Sequence, residues 1–319
     1  MTYSASSQEK PYFAALGKPQ LQKKRPVCAL PRGGRSSFAF RGWGRSIAIA
    51  AALIFALPFS RASAQELSPK ELVKQVVYNE LQADKNDHSR WIYLDHDREP
   101  GKNVVQVVVE TAEGAIRKTI EKDGHALDAE QRQQDEARIK RFGNDPEVRA
   151  EKHRNNAQDD KKARALMQML PDAFLWTYGG ESGDTVTLDF KPNPQFQPPT
   201  RDARVFAAMA GTLVVDRNAK RVRSVSGRLT RAVTFGWGLM GKLQKGGTFH
   251  VEHTEVASGI WRVTRTQVHI QGHALIFKSI NEQQDEETSH YKPAPPSLSL
   301  AQAIEMVNSG AAEREIGVS

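Results

Sequence analysis

With 319 residues, 26% of them charged, and a formal net charge of +8, the chain at first suggests a partner such as nucleic acid or an anionic membrane surface. The distribution of charge removes that reading: residues 1–64 hold 10 of the 45 Lys and Arg but only Glu9 of the 37 acids, which leaves residues 65–319 at a net charge of −1. The only cysteine, Cys28, lies in the same first stretch, so residues 65–319 have no disulfide, no thiolate metal site and no thiol nucleophile.

Residues 1–64 divide as a secretory leader does, into a basic stretch to Arg45, an apolar run from Ile47 to Phe59 and the small-residue site Ala62-Ser63-Ala64. The apolar run has 13 residues and contains Pro58, whereas a membrane-spanning helix needs roughly 20. The expectation is cleavage after Ala64 and a periplasmic or secreted product that starts at Gln65 and has no transmembrane segment. Without a cysteine at position 65, lipidation is not expected.

Ser68-Pro69 followed by Glu71 is a helix start, and Leu72, Val73, Val76, Val77 and Leu81 continue it at helical spacing for about five turns. Trp91–Asp95, Val104–Glu110 and Ala115–Glu121 read as strands, the last two as a hairpin around Glu113-Gly114. Charge and glutamine dominate from Asp128 to Asp160. Two helices are expected there, 128–142 and 146–170, broken at Gly143-Asn144-Asp145-Pro146. The second becomes amphipathic only near its end, at Ala163, Leu166, Met167, Met169 and Leu170, so its first half is expected to be solvated.

After Pro171, Phe174, Trp176 and Tyr178 alternate with smaller residues, as do Val186, Leu188 and Phe190 with Thr185, Thr187 and Asp189. A Pro-rich bend and a short helix near 202–210 precede further strands at 212–216, 221–229, 232–235, 248–256, 260–270 and 274–280. Eight to eleven strands with hairpin-length gaps predict one domain, a sandwich or an open barrel. The residues beyond about Glu286 are polar and Pro-rich and read as a flexible tail, 286–319, with a weak helix at 300–307.

Several motifs fail on their context. Gly236-Trp237-Gly238-Leu239-Met240-Gly241 matches a dinucleotide fingerprint and, through Lys242, most of a phosphate-binding loop. However, Leu243 stands where a magnesium-binding hydroxyl is needed, and Gly246-Gly247 interrupts any following helix. His250 and His253 point to opposite faces of a strand, His269 and His273 flank a turn, and no third ligand is placed, so no metal is expected. In Asp95-His96-Asp97 alternation sets the imidazole opposite both acids. Gly180-Glu181-Ser182-Gly183 is too short for a nucleophile elbow and reads as a turn, and the basic cluster from Arg217 to Arg231 reads as a solvated strand edge. No catalytic residue and no cofactor is assigned.

The alternating strand ending in Phe190-Lys191-Pro192, the bend, the short helix, the run Gly211-Thr212-Leu213-Val214-Val215-Asp216 and the opening helix at 69–85 together resemble the LolA-like superfamily of periplasmic lipoprotein carriers and receptors. The resemblance covers most of 66–283 in element order. It implies a mainly β, α+β fold: a strongly curved antiparallel sheet or half-barrel at 65–285 with helices over its concave face, the charged pair 128–170 being an insertion. It also implies a non-enzymatic envelope protein that holds a lipid or lipoprotein acyl chain on Phe174, Trp176, Tyr178, Val186, Leu188, Phe190, Phe249 and Val251. Plain core packing is the competing role for each of these residues. The alternatives are an adaptor or sensor that docks on an envelope protein through helices 128–170, and a hydrolase.

Overall fold

The computed structural model describes residues 67–235, 241–274 and 278–318. The expected leader and cleavage site, and Gly236–Met240 of the glycine motif, lie outside them.

Four of the helices start where a side chain satisfies their first free amides. In α1 (Pro69–Asn86) the Ser68 hydroxyl accepts from the Glu71 amide, and in α2 (Ala129–Asn144) Asp128 and Gln131 form a reciprocal capping box. Asp145 accepts from the amides of Glu147 and Val148 at the start of α3 (Pro146–Ala173), and Ser299 with Gln302 caps α4 (Leu300–Asn308), which precedes the one-turn α5 (Ala311–Glu315). In α3, residues 151–159 are exposed throughout, and burial begins at Asp160, Ala163 and Leu166. The solvated first half read from the sequence is what forms.

The strands are β1 (Trp91–Glu99), β2 (Lys102–Thr111), β3 (Gly114–Lys122), β4 (His125–Ala126), β5 (Phe174–Ser182), β6 (Thr185–Pro192), β7 (Met209–Asp216), β8 (Val222–Leu229), β9 (Val233–Phe235), β10 (Gly241–Leu243), β11 (Thr248–Ala257), β12 (Ile260–Ala274) and β13 (Lys278–Pro293). They join in one antiparallel sheet in the order β4-β3-β2-β1-β13-β12-β11-β8-β7-β6-β5, with β9 and β10 attached beside β12. A 3-10 helix, Asp202–Ala208, connects β6 to β7. The two ends of the sheet, β4 and β5, do not pair with each other. The fold is therefore a mixed one built on a large open antiparallel sheet, and the expected sandwich, barrel and strongly curved half-barrel are all corrected.

Cross-strand register shows why a single concave face does not form. Leu188, Leu213, Val225, Val251 and Thr266 follow one another across β6, β7, β8, β11 and β12 and share one face. There Leu188 and Leu213 pack with Val73 and Val76 of α1, and Val225 packs both against them and against the cluster that holds Leu166 of α3 and Phe206 of the 3-10 helix. The same face continues through Glu286 of β13 to Asp97 and Asp95 of β1, where polar groups replace apolar ones. In β1 to β3 the apolar residues Ile92, Val107, Val109 and Ile116 lie on the opposite face, covered by Ile139 of α2, Ala303 and Val307 of α4 and Ala312 of α5. Each half of the sheet thus buries a different face under its own helices, as a sheet with an apolar stripe on each side must.

Residues 286–319, expected as a loose tail, instead complete β13 and supply α4 and α5, whose Ala303, Val307 and Ile316 are buried. Their small and branched side chains recur at helical spacing, and each fully buried Val contributes roughly 1.5–3 kcal/mol. At Gly211 an added Cβ would lie 1.9 Å from the Ser226 carbonyl oxygen, so β7 and β8 approach there only because that position is glycine. Among the described residues no helix is long and apolar enough to cross a membrane.

Candidate functional site

The eight residues named from the sequence fall in one region but do not line an opening. Phe174, Val186, Leu188, Phe190 and Phe249 are buried in the apolar layers beneath α1, α3 and the 3-10 helix, and Val251 is buried as well. Phe174 sits with its ring centroid 4.7 Å from Phe190, 5.4 Å from Phe206 and 5.7 Å from Trp176. Trp176 is partly buried and donates its indole N–H to the Leu170 carbonyl at 3.2 Å, while the exposed Tyr178 donates its hydroxyl to the Leu67 carbonyl at 2.5 Å.

A concavity of ligand size lies elsewhere, among residues that no sequence motif brought together. A cleft of about 450 Å³ opens between the C-terminal end of α1, the middle of α3, the residue before β8 and the β11–β12 hairpin. Three ion pairs stand around it. Glu80 receives both Nε and Nη2 of Arg221 at 2.9 Å and also accepts from the Val222 amide at 2.8 Å. Asp84 accepts from Arg164 at 2.8 Å, and Asp87 is paired with Arg262. Asp160 adds a buried fourth carboxylate, and Met167, Ile260 and Trp261 add apolar surface. The guanidinium groups of Arg221 and Arg223 lie 6.0 and 5.6 Å from the Trp261 ring centroid.

Ser89 organises one wall. Its hydroxyl donates to Asp87 at 2.6 Å and accepts from Arg262 Nη2 at 2.8 Å and from the Trp91 indole N–H at 2.7 Å. Although burial alone would raise it, the Ser89 hydroxyl and Arg262 hold the Asp87 carboxyl below its ordinary range. His253 lines the same cleft, and burial lowers its pKa below 6.5, so its ring is neutral at neutral pH. Two nitrogens of these lining residues, Arg262 Nε and His253 Nδ1, have no hydrogen-bond partner among the described residues.

A second arrangement resembles catalytic machinery. On the face of β8 and β11 opposite α1, Ser226 Oγ lies 2.7 Å from His250 Nδ1, and His250 Nε2 lies 2.7 Å from Glu252 Oε1. Sequence reasoning missed it because Ser226 and His250 are neighbours only through the register of two strands. A hydroxyl, an imidazole and a carboxylate in series are the parts of an activated nucleophile, which also needs amide donors for the developing oxyanion. Ser226 sits mid-strand, with β8 paired to β7 on one side and β11 on the other, so the ladders use the amides around it. His250 and His253 lie on different faces, and among the described residues no group of three or more His, Cys, Asp or Glu side chains is arranged to hold a metal ion. Of the glycine motif, Gly241 to Leu243 form strand β10, not the start of a helix.

Comparison of the chain with family models, with curated proteins and with solved structures gives no match. The resemblance to the LolA-like superfamily is therefore corrected on two grounds: no family or structural relative supports it, and the sheet is open, with its helical layers on opposite faces. The lipid or lipoprotein carrier implied by that resemblance falls with it, since the open sheet has no single concave face and most of the residues assigned to an acyl chain are packed under helices.

Proposed function

We propose that the protein is a non-catalytic binding protein that captures a small dipolar solute, of the size and charge pattern of an amino acid or short peptide, in the cleft between α1, α3 and the β11–β12 hairpin. The single observation that carries this reading is the convergence of Glu80–Arg221, Asp84–Arg164, Asp87–Arg262 and Asp160 on one cleft of about 450 Å³. Partly buried ion pairs contribute little net stability compared with apolar residues of the same volume, so folding alone does not account for so many at one concavity. Guanidinium and carboxylate groups side by side are the complement of a solute that carries both charges. With His253 neutral, four carboxylates face three guanidiniums, a balance that disfavours polyanions. A volume in the few-hundred-Å³ range suits small molecules.

The proposal extends to location: the leader read at residues 1–64 supports export, which would bring the cleft into contact with solutes outside the cytoplasm. Thermal unfolding in the presence of free amino acids, dipeptides and simple carboxylates at millimolar concentration tests the reading. A member of the panel should raise the unfolding temperature in a concentration-dependent way, and Arg164→Gln should abolish the response. If no dipolar solute has an effect, or the effect survives Arg164→Gln unchanged, the reading is wrong.

A further inference from the structure

We propose that Glu110 is a proton-operated switch behind the cleft, whose charge state sets how firmly Arg262 is held against Trp91 and Asp87. Glu110 follows Val109, the partner of Ile92 in the β1–β2 ladder, and its Oε2 accepts the Trp91 backbone N–H at 3.0 Å. Trp91 is 2% exposed and donates its indole N–H to Ser89 at 2.7 Å, and Ser89 accepts from Arg262 at 2.8 Å. The Arg262 guanidinium lies 5.9 Å from the centroid of the Trp91 ring. One rigid aromatic residue thus stands between a carboxyl group and the cation of the cleft wall.

The charged and titratable groups around Glu110 come from five elements: Tyr93 and Asp95 of β1, Arg117 of β3, Arg262 of β12, Tyr291 of β13 and Asp87 after α1. Burial raises the carboxyl of Glu110 to about 7, against the opposing pull of Arg262, the Trp91 amide and Arg117. Burial moves Tyr93 and Tyr291 upward, away from neutrality, and Asp87 is held low. Asp95 is paired with Arg117. Glu110 is accordingly the member of the set that changes charge near neutral pH.

When Glu110 is ionised it accepts strongly from the Trp91 amide, and with Asp87 it places two negative charges near Arg262. When it is protonated the bond to Trp91 weakens and Arg262 keeps only Asp87. The guanidinium is then freer to meet an anionic group, and capture tightens as pH falls. That last consequence rests on the cleft reading above, whereas the switch is tested without any solute.

The experiment is a pH titration of the ligand-free protein by nitrogen–proton NMR, following the Trp91 indole N–H and the Arg262 Nε–H. Both signals should move in one transition centred near pH 7 in the wild type. The transition should vanish in Glu110→Gln and move to lower pH in Asp87→Asn, which removes a negative neighbour. Signals that stay flat through neutral pH in the wild type, or the same transition in Glu110→Gln, would overturn the switch. Calorimetry with the free amino acids separates the two readings. A transition without solute binding leaves the switch standing and removes the cleft reading, whereas binding with flat signals does the reverse.

Discussion

Arg221 and Glu80 meet in a two-point ion pair, both N···O distances being 2.9 Å, that ties the residue before β8 to the last turns of α1. The side chains are 12% and 11% exposed, so each charge depends on the other for its loss of water. Glu80→Gln should cost about 3–5 kcal/mol, because Arg221 is left as an uncompensated, largely buried cation. The double variant Glu80→Leu with Arg221→Met should recover most of that loss. Urea unfolding of the single and double variants measures the coupling; single variants that each cost under about 1 kcal/mol would show that the pair behaves as a surface contact.

Leu188 has no exposed surface and packs among Val186, Leu213, Val215 and the α1 residues Val73 and Val76. Leu188→Ala should therefore cost roughly 2–5 kcal/mol in urea unfolding, the range for a cavity opened in a packed interior. An open acyl-chain site, the expectation from the family resemblance, calls for a much smaller loss.

Local signals carried most of the elements. Ser68-Pro69, the break at Gly143-Asn144-Asp145-Pro146 and the alternation in β5 and β6 each mark an element through residues adjacent in the chain, and those elements form. The assembly of the elements was not legible. Alternation shows that Leu188 and Val109 each face an interior, but only the register through β13 and β1 shows that those interiors lie on opposite faces. The 286–319 segment was misread because Ala303, Val307 and Ala312 are small and sparse, and their burial depends on β1 to β3. The cleft was illegible for the same reason. Glu80 and Arg221, like Asp84 and Arg164, are distant in sequence and meet only after the sheet and helices have packed.

The α4–α5 segment should be structural. A chain ending at Pro296 loses Leu298, Ala303, Val307, Ala312 and Ile316, all buried against the β1–β3 layer. It should unfold at a markedly lower temperature or aggregate, because the apolar face formed by Ile92, Val107, Val109 and Ile116 is left open to water. Calorimetry of the truncated and full chains checks this, and an unchanged unfolding temperature would contradict the packing described.

Two groups give opposite pH dependences. Glu110 is raised from 4.5 to about 7, so its contribution to stability is complete below 4.5 and is lost as pH rises through about 7. Relative to the wild type, Glu110→Gln should gain stability between about pH 5 and pH 8, by on the order of 1–3 kcal/mol. His253 is lowered from 6.5, so its contribution is present above 6.5 and is lost as pH falls. His253→Gln should flatten the acid side of the stability profile. Urea unfolding across this pH range, with both variants, checks the signs, and a profile unchanged by either substitution would contradict the burial assigned to these groups.

The most direct measurement is chemical-shift mapping of the labelled protein as a stabilising amino acid or dipeptide is added. Saturable shifts should concentrate at Glu80 to Ser89, at Asp160 to Met167 and at Gly259 to Val263, and Arg164→Gln should remove them while leaving the rest of the spectrum in place. Saturable shifts centred instead on the opposite face at Ser226, His250 and Glu252, or no saturable shifts with any dipolar solute, would contradict the assignment of the cleft as the binding site.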